Sequence, residues 1–178
     1  LRKEIKNFTK SKTFTIYNPS LDQSIYKTKS YKEKIKIPKN LILNIARLEK
    51  QKDQYTLIKA FKKLNNKKNF KLFIVGYGSQ YHRLIEQIKK YKLENEIKIF
   101  TKFKNPNFII KKAKLFILSS RYEGFGNVLI EAGKNKIPII SSNCPHGPNE
   151  ILNNGKFGDL FQVRNSNHLS LKLQNFLD

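Results

Sequence analysis

Two glutamates and two glycines around a predicted helix start could bind a hydroxyl-rich, anionic ligand. Gly124 and Gly126 flank this start, where exposed backbone N–H groups and the helix dipole form an anion site. Glu123 precedes the helix, and Glu131 follows eight residues later, about two helical turns on. Carboxylates accept hydrogen bonds from vicinal hydroxyls, so the two could bracket a ribose or a hexose. Taken alone, Glu131 is equally an ordinary helix acid and Glu123 a surface charge.

Arg47 and Lys52 follow another apolar run and precede a second predicted helix. The planar fork of an arginine and the point charge of a lysine could together grip a diphosphate. In a chain this basic, however, two cations in one loop are expected from composition alone. A phosphate site is therefore one interpretation, and two solvated surface charges are the other.

A pair of closely spaced glycines, Gly76 and Gly78, ends the apolar run 70–75. Such glycines permit a close backbone approach or a positive φ. A dinucleotide-binding fingerprint would need a third glycine at the proper spacing, and none follows. The segment fits either a close approach to a ligand or a tight turn between a strand and a helix.

The cysteine and the histidines form no recognisable catalytic or metal-binding pattern. Cys144, the single cysteine, has no histidine or aspartate at a spacing that would indicate a nucleophile. His82, His146 and His168 are scattered, so we expect no zinc site. No bound cofactor is expected either. His146 is the histidine that could lie near a ligand, because it belongs to a rigid loop with two prolines.

Short apolar runs alternate with amphipathic stretches from residue 41 onward, which predicts alternating strands and helices. This alternation favours an α/β fold, a Rossmann-like doubly wound parallel sheet of about six strands. Ligands bind such sheets beyond the carboxyl ends of the strands, where the candidate residues stand. Asp53 is expected to cap the first helix. The predicted strands are 41–46, 70–75, 97–100, 115–118, 137–141 and 158–161, and the later helices are 107–113, 128–134, 149–152 and 167–177.

The chain carries 36 lysines and arginines against 13 acids, a formal net charge of +23. An anionic partner is one explanation: a nucleic acid, an anionic membrane or a phosphate-bearing substrate. Only five of the basic residues are arginine, which is better suited to bidentate contacts. We therefore favour compositional drift, with lysines on solvated faces. Nucleic-acid binding is not expected, because the aromatic residues fall within core patterns and not on stacking platforms.

The 178 residues suffice for one domain with its own core. Residues 1–40 are polar and lysine-rich, so the domain is expected to begin at residue 41. No apolar run approaches the roughly 18 residues of a membrane span, and the basic start lacks the apolar segment of a signal peptide. One cysteine excludes an internal disulfide and fits a reducing cytoplasm, which is the predicted location.

The ordered set ARLEKQK, IVGYG, KNPNFIIKKAKLFILSSRYEGFGNVLIEA, IPIISSNCPHGPNEIL and GDLF resembles the carboxy-terminal domain of family 4 retaining glycosyltransferases. These enzymes have the GT-B fold, in which two Rossmann-like domains face each other. The resemblance covers residues 41–165, and its sharpest feature is the spacing of Glu123 and Glu131. It implies that residues 41–178 are the nucleotide-sugar-binding domain and that residues 1–40 are a remnant of the amino-terminal acceptor domain plus a linker.

The resemblance also implies a role for each candidate residue. Arg47 and Lys52 would neutralise the donor diphosphate as it leaves, and Glu123 would contact the donor sugar. Glu131 would accept hydrogen bonds from the ribose hydroxyls, and the loop 101–104 would lie against the base. No metal is implied, because the cations and the helix end supply the positive charge. The other predicted donor contacts are Gly76, Thr101, Lys102, Gly124, Phe125, Gly126 and Asn127.

Three residues depart from the family pattern. Ala46, Asp53 and Thr101 stand where the family usually has glycine. The departure at Thr101 matters most, because a side chain there could tilt the base-binding loop.

The predicted function is the donor-binding part of a glycosyltransferase. It would transfer a hexose or N-acetylhexosamine from a UDP-linked sugar, with retention, to a glycan or lipid-linked acceptor in surface polysaccharide or lipopolysaccharide synthesis. The acceptor is expected to bind to an amino-terminal domain that this chain lacks. Peripheral contact with the inner face of the membrane is compatible with this function. The alternatives are a non-catalytic nucleotide-sugar-binding fragment and, less favoured, a basic nucleic-acid-binding domain.

Overall fold

The computed structural model describes residues 35–102 and 106–178. Within these ranges the chain forms one parallel sheet with helices on both faces. The strands are β1 Leu41–Ile45, β2 Lys71–Val75, β3 Ile97–Phe100, β4 Leu115–Leu118, β5 Ile139–Ser142 and β6 Asp159–Phe161. The helices are α1 Gln54–Lys62, α2 Tyr81–Lys90, α3 Pro106–Ile110, α4 Asn127–Lys134, α5 Pro148–Ile151 and α6 Ser166–Leu177. Short 3-10 turns occupy Lys50–Lys52 and Lys67–Asn69.

The strand order across the sheet is β3-β2-β1-β4-β5-β6. The chain therefore adds strands on one side of β1 and then returns to build the other side from β4. Ile42 pairs with Leu115 and Leu43 with Phe116 at this reversal. The predicted fold class, a doubly wound Rossmann-like sheet, is confirmed.

Both faces of the sheet are buried under helices, which explains why the strands are nearly all apolar. Successive side chains of β1 point to opposite faces, so Ile42 belongs to one apolar cluster and Leu43 to the other. The first cluster includes Phe61 of α1 and Leu169 of α6. The second includes Leu129 of α4. This double burial fixes the strands whose ends carry the candidate site.

Asp53 immediately precedes α1, but its carboxylate does not cap a backbone N–H group of the helix. It accepts a hydrogen bond from the Thr56 hydroxyl at 2.9 Å and pairs with the Arg121 guanidinium at 3.3 Å. The predicted cap is therefore wrong. The reason is the backbone of Asp53, whose φ of 47° is left-handed and not the extended conformation of a capping residue. Such a φ also suits glycine, the usual family residue here.

Two predicted elements differ from the structure by two or more residues at one end. β5 begins at Ile139, not at 137, because Pro138 has no N–H group to donate to the sheet. α3 ends at Ile110, three residues before the predicted end at 113.

The predicted amino-terminal remnant falls almost entirely outside the described residues, so the domain boundary after residue 40 stays a prediction. Within the described ranges, no helix combines the length and apolar character needed to cross a bilayer.

Candidate functional site

Two strand-to-helix connections meet at the point where the strand order reverses. Residues 46–53 follow β1, and residues 119–126 follow its sheet neighbour β4. In an open α/β sheet this reversal leaves a crevice beyond the carboxyl ends of the strands. The fold thereby brings Arg47 and Lys52 of the first connection next to Glu123, which lies 71 positions from Lys52 in the sequence.

Hydrogen bonds hold the two connections against each other. The backbone N–H of Arg121 donates to the carbonyl of Gln51 at 2.8 Å, and the Gln51 side-chain amide donates to the carbonyl of Tyr122 at 2.8 Å. The Ser119 hydroxyl donates to the carbonyl of Lys52, also at 2.8 Å. These bonds fix the backbone of Lys52 and leave its ammonium group available to the crevice.

Lys52 and Glu123 form the central ion pair of the site. Lys52 Nζ lies 2.7 Å from each carboxylate oxygen of Glu123, and the Ser120 hydroxyl donates to Glu123 Oε1 at 2.6 Å. The Lys52 side chain is 14% exposed and that of Glu123 is 7% exposed. Each charge is largely removed from water, so removal of one would leave the other uncompensated.

A cavity of about 320 Å³ opens beside this ion pair. Its charged lining consists of Arg47, Lys52 and Glu123. The start of α4 also lines it, and within the described ranges no side chain caps this helix, which follows the left-handed Gly126. The helix therefore presents uncapped N–H groups and its positive dipole end to the cavity, which suits an anion. The remaining lining residues are Ile45, Ala46, Leu118, Phe125, Asn127 and Val128.

A second cavity of about 550 Å³ adjoins the first and shares Ile45, Ala46 and Arg47 with it. Tyr77 lines this second cavity, and this residue is 70% exposed. An apolar slot next to a cation-lined cavity suits a flat ring attached to phosphates. The other lining residues are Val75, Gly76, Thr101, Lys102 and Pro106.

Gly76 packs the connection after β2 against the connection after β1. A Cβ on Gly76 would lie 1.9 Å from the carbonyl oxygen of Ala46, so no other residue fits there. The backbone N–H of Leu48 donates to the Tyr77 carbonyl at 2.8 Å, and that of Gly76 donates to the Phe100 carbonyl at 2.9 Å. Gly76 thus allows two connections of this chain to pack closely against each other. The hydrogen bond between Leu48 and Tyr77 fixes the backbone of Tyr77.

The connection after β5 supports the segment that carries Glu123. A Cβ on Gly147 would lie 1.6 Å from the carbonyl oxygen of Phe125, and Gly147 has a left-handed φ of 94°. The Glu123 backbone N–H donates to the Pro145 carbonyl at 3.3 Å. The Ser142 hydroxyl donates to the Ser120 carbonyl at 2.6 Å.

Cys144 lies in this supporting connection and is 3% exposed. Burial raises the pKa of its thiol, a hydrogen bond with Ser142 partly offsets this, and the charge of Glu123 raises the pKa further. A thiol with a raised pKa is a poor nucleophile at neutral pH. Within the described ranges, no group of three His, Cys, Asp or Glu side chains is arranged to hold a metal ion.

Most of the predicted site residues line one of the two cavities. Gly124 is exposed and Glu131 is half-buried, and neither residue lines one of the two cavities. Glu131 follows Asn127 by one turn on the same side of α4. Residues 103–105 of the predicted base-binding loop lie outside the described residues. The first cavity contains Arg47, Lys52, Glu123, Phe125, Gly126 and Asn127, and the second Gly76, Thr101 and Lys102.

Sequence reasoning missed Tyr77 and Ser120 as site residues. Tyr77 could have been found from its position between two glycines directly after a strand, where an aromatic side chain has little core to join. Ser120 carried no such signal, because its role depends on the distance between its hydroxyl and Glu123.

Comparison with known proteins gives this arrangement a family. Residues 27–178 match the family model described as glycosyl transferases group 1. An uncharacterized glycosyltransferase of Methanocaldococcus jannaschii is 41% identical over 113 residues, which cover 63% of this chain and 28% of that protein. A second relative comes from Campylobacter jejuni and is 32% identical over 146 residues, covering 82% of this chain and 40% of that protein. Its name is N-acetylgalactosamine-N,N'-diacetylbacillosaminyl-diphospho-undecaprenol 4-alpha-N-acetylgalactosaminyltransferase.

A solved structure of an S. aureus TarM variant, in complex with fondaparinux, alpha-GlcNAc-glycerol and UDP, has the same fold. Its TM-score is 0.80 at 24% identity, and the match covers 99% of this chain and 35% of that chain.

This chain belongs to the glycosyl transferases group 1 family. The predicted resemblance is thereby confirmed, and the described fold matches one Rossmann-like unit of a GT-B glycosyltransferase. The chain spans 28% and 40% of the lengths of the two relatives named above.

Proposed function

We propose that this chain binds a nucleoside diphosphate sugar and forms the donor-binding part of a glycosyltransferase. The donor is a UDP-linked hexose or N-acetylhexosamine, and the sugar passes with retention to a glycan or lipid-linked acceptor. The reaction belongs to cytoplasmic synthesis of surface polysaccharide or lipopolysaccharide. The acceptor is held by protein outside the described residues.

The observation that carries this proposal is the juxtaposition of three charged side chains and an apolar slot. Arg47, Lys52 and Glu123 line one cavity, and Tyr77 lines the cavity that adjoins it. A diphosphate needs cations, a sugar needs hydrogen-bond acceptors, and a base needs a flat apolar surface. The two adjoining cavities together offer all three kinds of group.

In the proposed reaction, the bond between the anomeric carbon and the diphosphate oxygen breaks as a bond to the acceptor hydroxyl oxygen forms, and the proton of that hydroxyl passes to the departing diphosphate or to water. The nucleoside diphosphate leaves with additional negative charge. Arg47, Lys52 and the uncapped start of α4 surround the cavity where this charge would develop. Such preorganised positive groups stabilise a departing anion without reorganisation of water.

Lys52 would also control the availability of Glu123, because its ammonium group is paired with the Glu123 carboxylate. A diphosphate in the cavity would compete with the carboxylate for the Lys52 ammonium group. Glu123 would then accept hydrogen bonds from the sugar hydroxyls in place of those it receives from Lys52. Glu131, one turn beyond Asn127 on α4, would accept hydrogen bonds from the ribose hydroxyls.

The named relatives support the finer parts of the proposal. The TarM structure contains UDP, and the Campylobacter jejuni enzyme is named for a diphospho-undecaprenol-linked acceptor. A UDP donor and a lipid-linked acceptor are therefore the first substrates to test with this chain.

Replacement of Arg47 by alanine is expected to weaken UDP binding by about 10- to 100-fold, the range of a charge-assisted hydrogen bond. Calorimetric titration of the chain with UDP, with GDP alongside, measures this. Arg83→Ala is the matched control, since Arg83 is exposed on α2 and lines neither cavity. Absence of UDP binding to a folded wild-type chain would overturn the proposal for this chain. UDP binding without transfer by the longer protein would instead favour the non-catalytic alternative.

Replacement of Tyr77 by alanine is expected to weaken UDP binding by about tenfold, because base–aromatic stacking is worth 1–3 kcal/mol. Binding of inorganic pyrophosphate should not change, since it has no base. Tyr77→Phe should retain most of the UDP affinity. Tyr55→Ala removes another exposed tyrosine, outside both cavities, and serves as the control. Equal losses for UDP and pyrophosphate would show that Tyr77 does not contact the base.

A further inference from the structure

The amino-terminal edge of the sheet, opposite the two cavities, carries a group of lysines. Lys111, Lys112 and Lys114 lead into β4, Lys136 leads into β5, and Lys156 leads into β6. All five are exposed, and we call them the lysine patch. They lie in consecutive connections because β4, β5 and β6 are neighbours in the sheet.

Backbone contacts bring these three connections side by side. The Phe116 N–H donates to the Pro138 carbonyl at 2.9 Å, which joins the start of β4 to the approach to β5. A Cβ on Gly158 would lie 2.8 Å from the Ile139 carbonyl oxygen, which joins the approach to β6 to β5. Neighbouring strands are about 4.8 Å apart, so the patch is compact.

The charge of the patch is not balanced locally. The connections 111–114, 135–138 and 152–158 contain no acidic residue. Among the residues that the structure describes, none of the five lysines pairs with a carboxylate. Lys114 makes a cation–π contact, with its Nζ 5.4 Å from the centroid of the Phe70 ring. Each connection follows the carboxyl end of a helix, whose dipole favours a nearby cation, but α3 and α5 have only 5 and 4 residues and therefore small dipoles.

An apolar surface lies directly beside the lysines. A groove of about 690 Å³ is lined by Ile130, Ile137, Pro138 and Phe157, and Lys136 lines it too. Phe157 is 69% exposed, although it is one of the largest apolar side chains. An exposed aromatic ring next to unbalanced lysines is the combination that lies at a membrane–water interface.

We propose that the lysine patch and Phe157 dock this chain on an anionic lipid surface. Lysines are compact point charges, so they suit diffuse attraction to a fluid layer of phosphate headgroups. No arginine, the residue for bidentate recognition of a fixed phosphate or base, lies in these three connections. Charge complementarity thus favours a bilayer over a structured nucleic acid.

Docking through this edge leaves the donor site free. The patch and the cavities lie at opposite ends of the strands, about 15 Å apart for strands of this length. The inference therefore stands apart from the proposed function, and each can fail without the other.

The test is co-sedimentation of the whole chain with phosphatidylcholine vesicles that contain or lack phosphatidylglycerol, at physiological salt. The variant K112Q/K136Q/K156Q removes one lysine from each connection. K59Q/K89Q/K98Q removes three exposed lysines from other surfaces and is the matched control. Each lysine near such a surface contributes roughly a fivefold gain in partitioning, so the patch variant should bind roughly 100-fold more weakly.

The expected result is binding to the anionic vesicles alone, lost in the patch variant and kept in the control. Phe157→Ala should weaken it severalfold, and UDP titration should give the same affinity for all variants. Equal losses in the patch and control variants would overturn the proposal, because they would indicate unspecific charge attraction. Failure to bind anionic vesicles would also overturn it, including the case in which the patch binds a generic oligonucleotide instead.

Discussion

Replacement of Lys52 by methionine is expected to cost both stability and donor affinity. The substitution keeps much of the side-chain volume but leaves the Glu123 carboxylate, 7% exposed, with the Ser120 hydroxyl as its main donor. Breaking a buried ion pair by removing one partner costs about 3 to 5 kcal/mol. We place Lys52→Met near the lower end, since the Lys52 side chain is 14% exposed. UDP binding should weaken by about 10- to 100-fold through loss of a charged contact with phosphate.

The double variant K52M/E123Q separates the two effects. Glutamine removes the uncompensated charge, so the free energy of unfolding should recover by about 2 kcal/mol or more relative to Lys52→Met. Donor affinity should not recover, because the cation is still missing. Urea unfolding of the single and double variants measures the first effect, and UDP titration measures the second. Equal stability of the two variants would show that Lys52 and Glu123 are not energetically coupled.

The inner strands could be predicted because each is a short, largely apolar and buried run, whereas the edge strands β3 and β6 are only partly buried. The bounds of β3 and β4 agree with the predicted 97–100 and 115–118. The predicted start of β5 was less accurate. Pro138 fits the apolar pattern of a strand, but it has no backbone N–H to donate to the sheet. A hydrophobic pattern reports burial, whereas a strand end depends on the hydrogen bonds of individual residues.

The candidate site was predictable in its members but not in its contacts. Parallel strands place their carboxyl ends at one edge, so Arg47, Lys52 and Glu123 were expected near one another. The bond between Lys52 and Glu123 joins residues 71 positions apart, and no local pattern encodes such a contact. The position of Asp53 was predicted, but its side chain turns to Arg121 because of a left-handed φ that sequence alone did not reveal.

Gly147 lies in the proline-containing loop after β5, and the structure gives it a strict steric requirement. The position where a Cβ would stand is 1.6 Å from the Phe125 carbonyl oxygen, a backbone atom that has no rotamer to change. The φ of 94° is also unfavourable for any residue with a side chain. An alanine at 147 must therefore displace the connection 119–126 or the connection after β5.

Gly147→Ala is accordingly expected to destabilise the chain by at least about 3 kcal/mol, combining backbone strain with overpacking. A loss of this size corresponds to a fall in Tm of roughly 6 to 12 °C for a chain of this length. The displaced segment carries Glu123 and leads into α4, so UDP affinity should fall as well. Thermal unfolding and UDP titration measure the two effects.

Gly133→Ala is the matched control, because it adds the same methyl group within α4 where nothing lies within 4 Å. Alanine is the better helix former, so this variant should gain about 0.5 to 1 kcal/mol and bind UDP normally. If Gly147→Ala were as stable as Gly133→Ala and also bound UDP normally, the contact between Gly147 and Phe125 would not hold the site together. Loss of UDP binding by Gly147→Ala with unchanged stability would instead place the whole effect in the position of Glu123 and the α4 start.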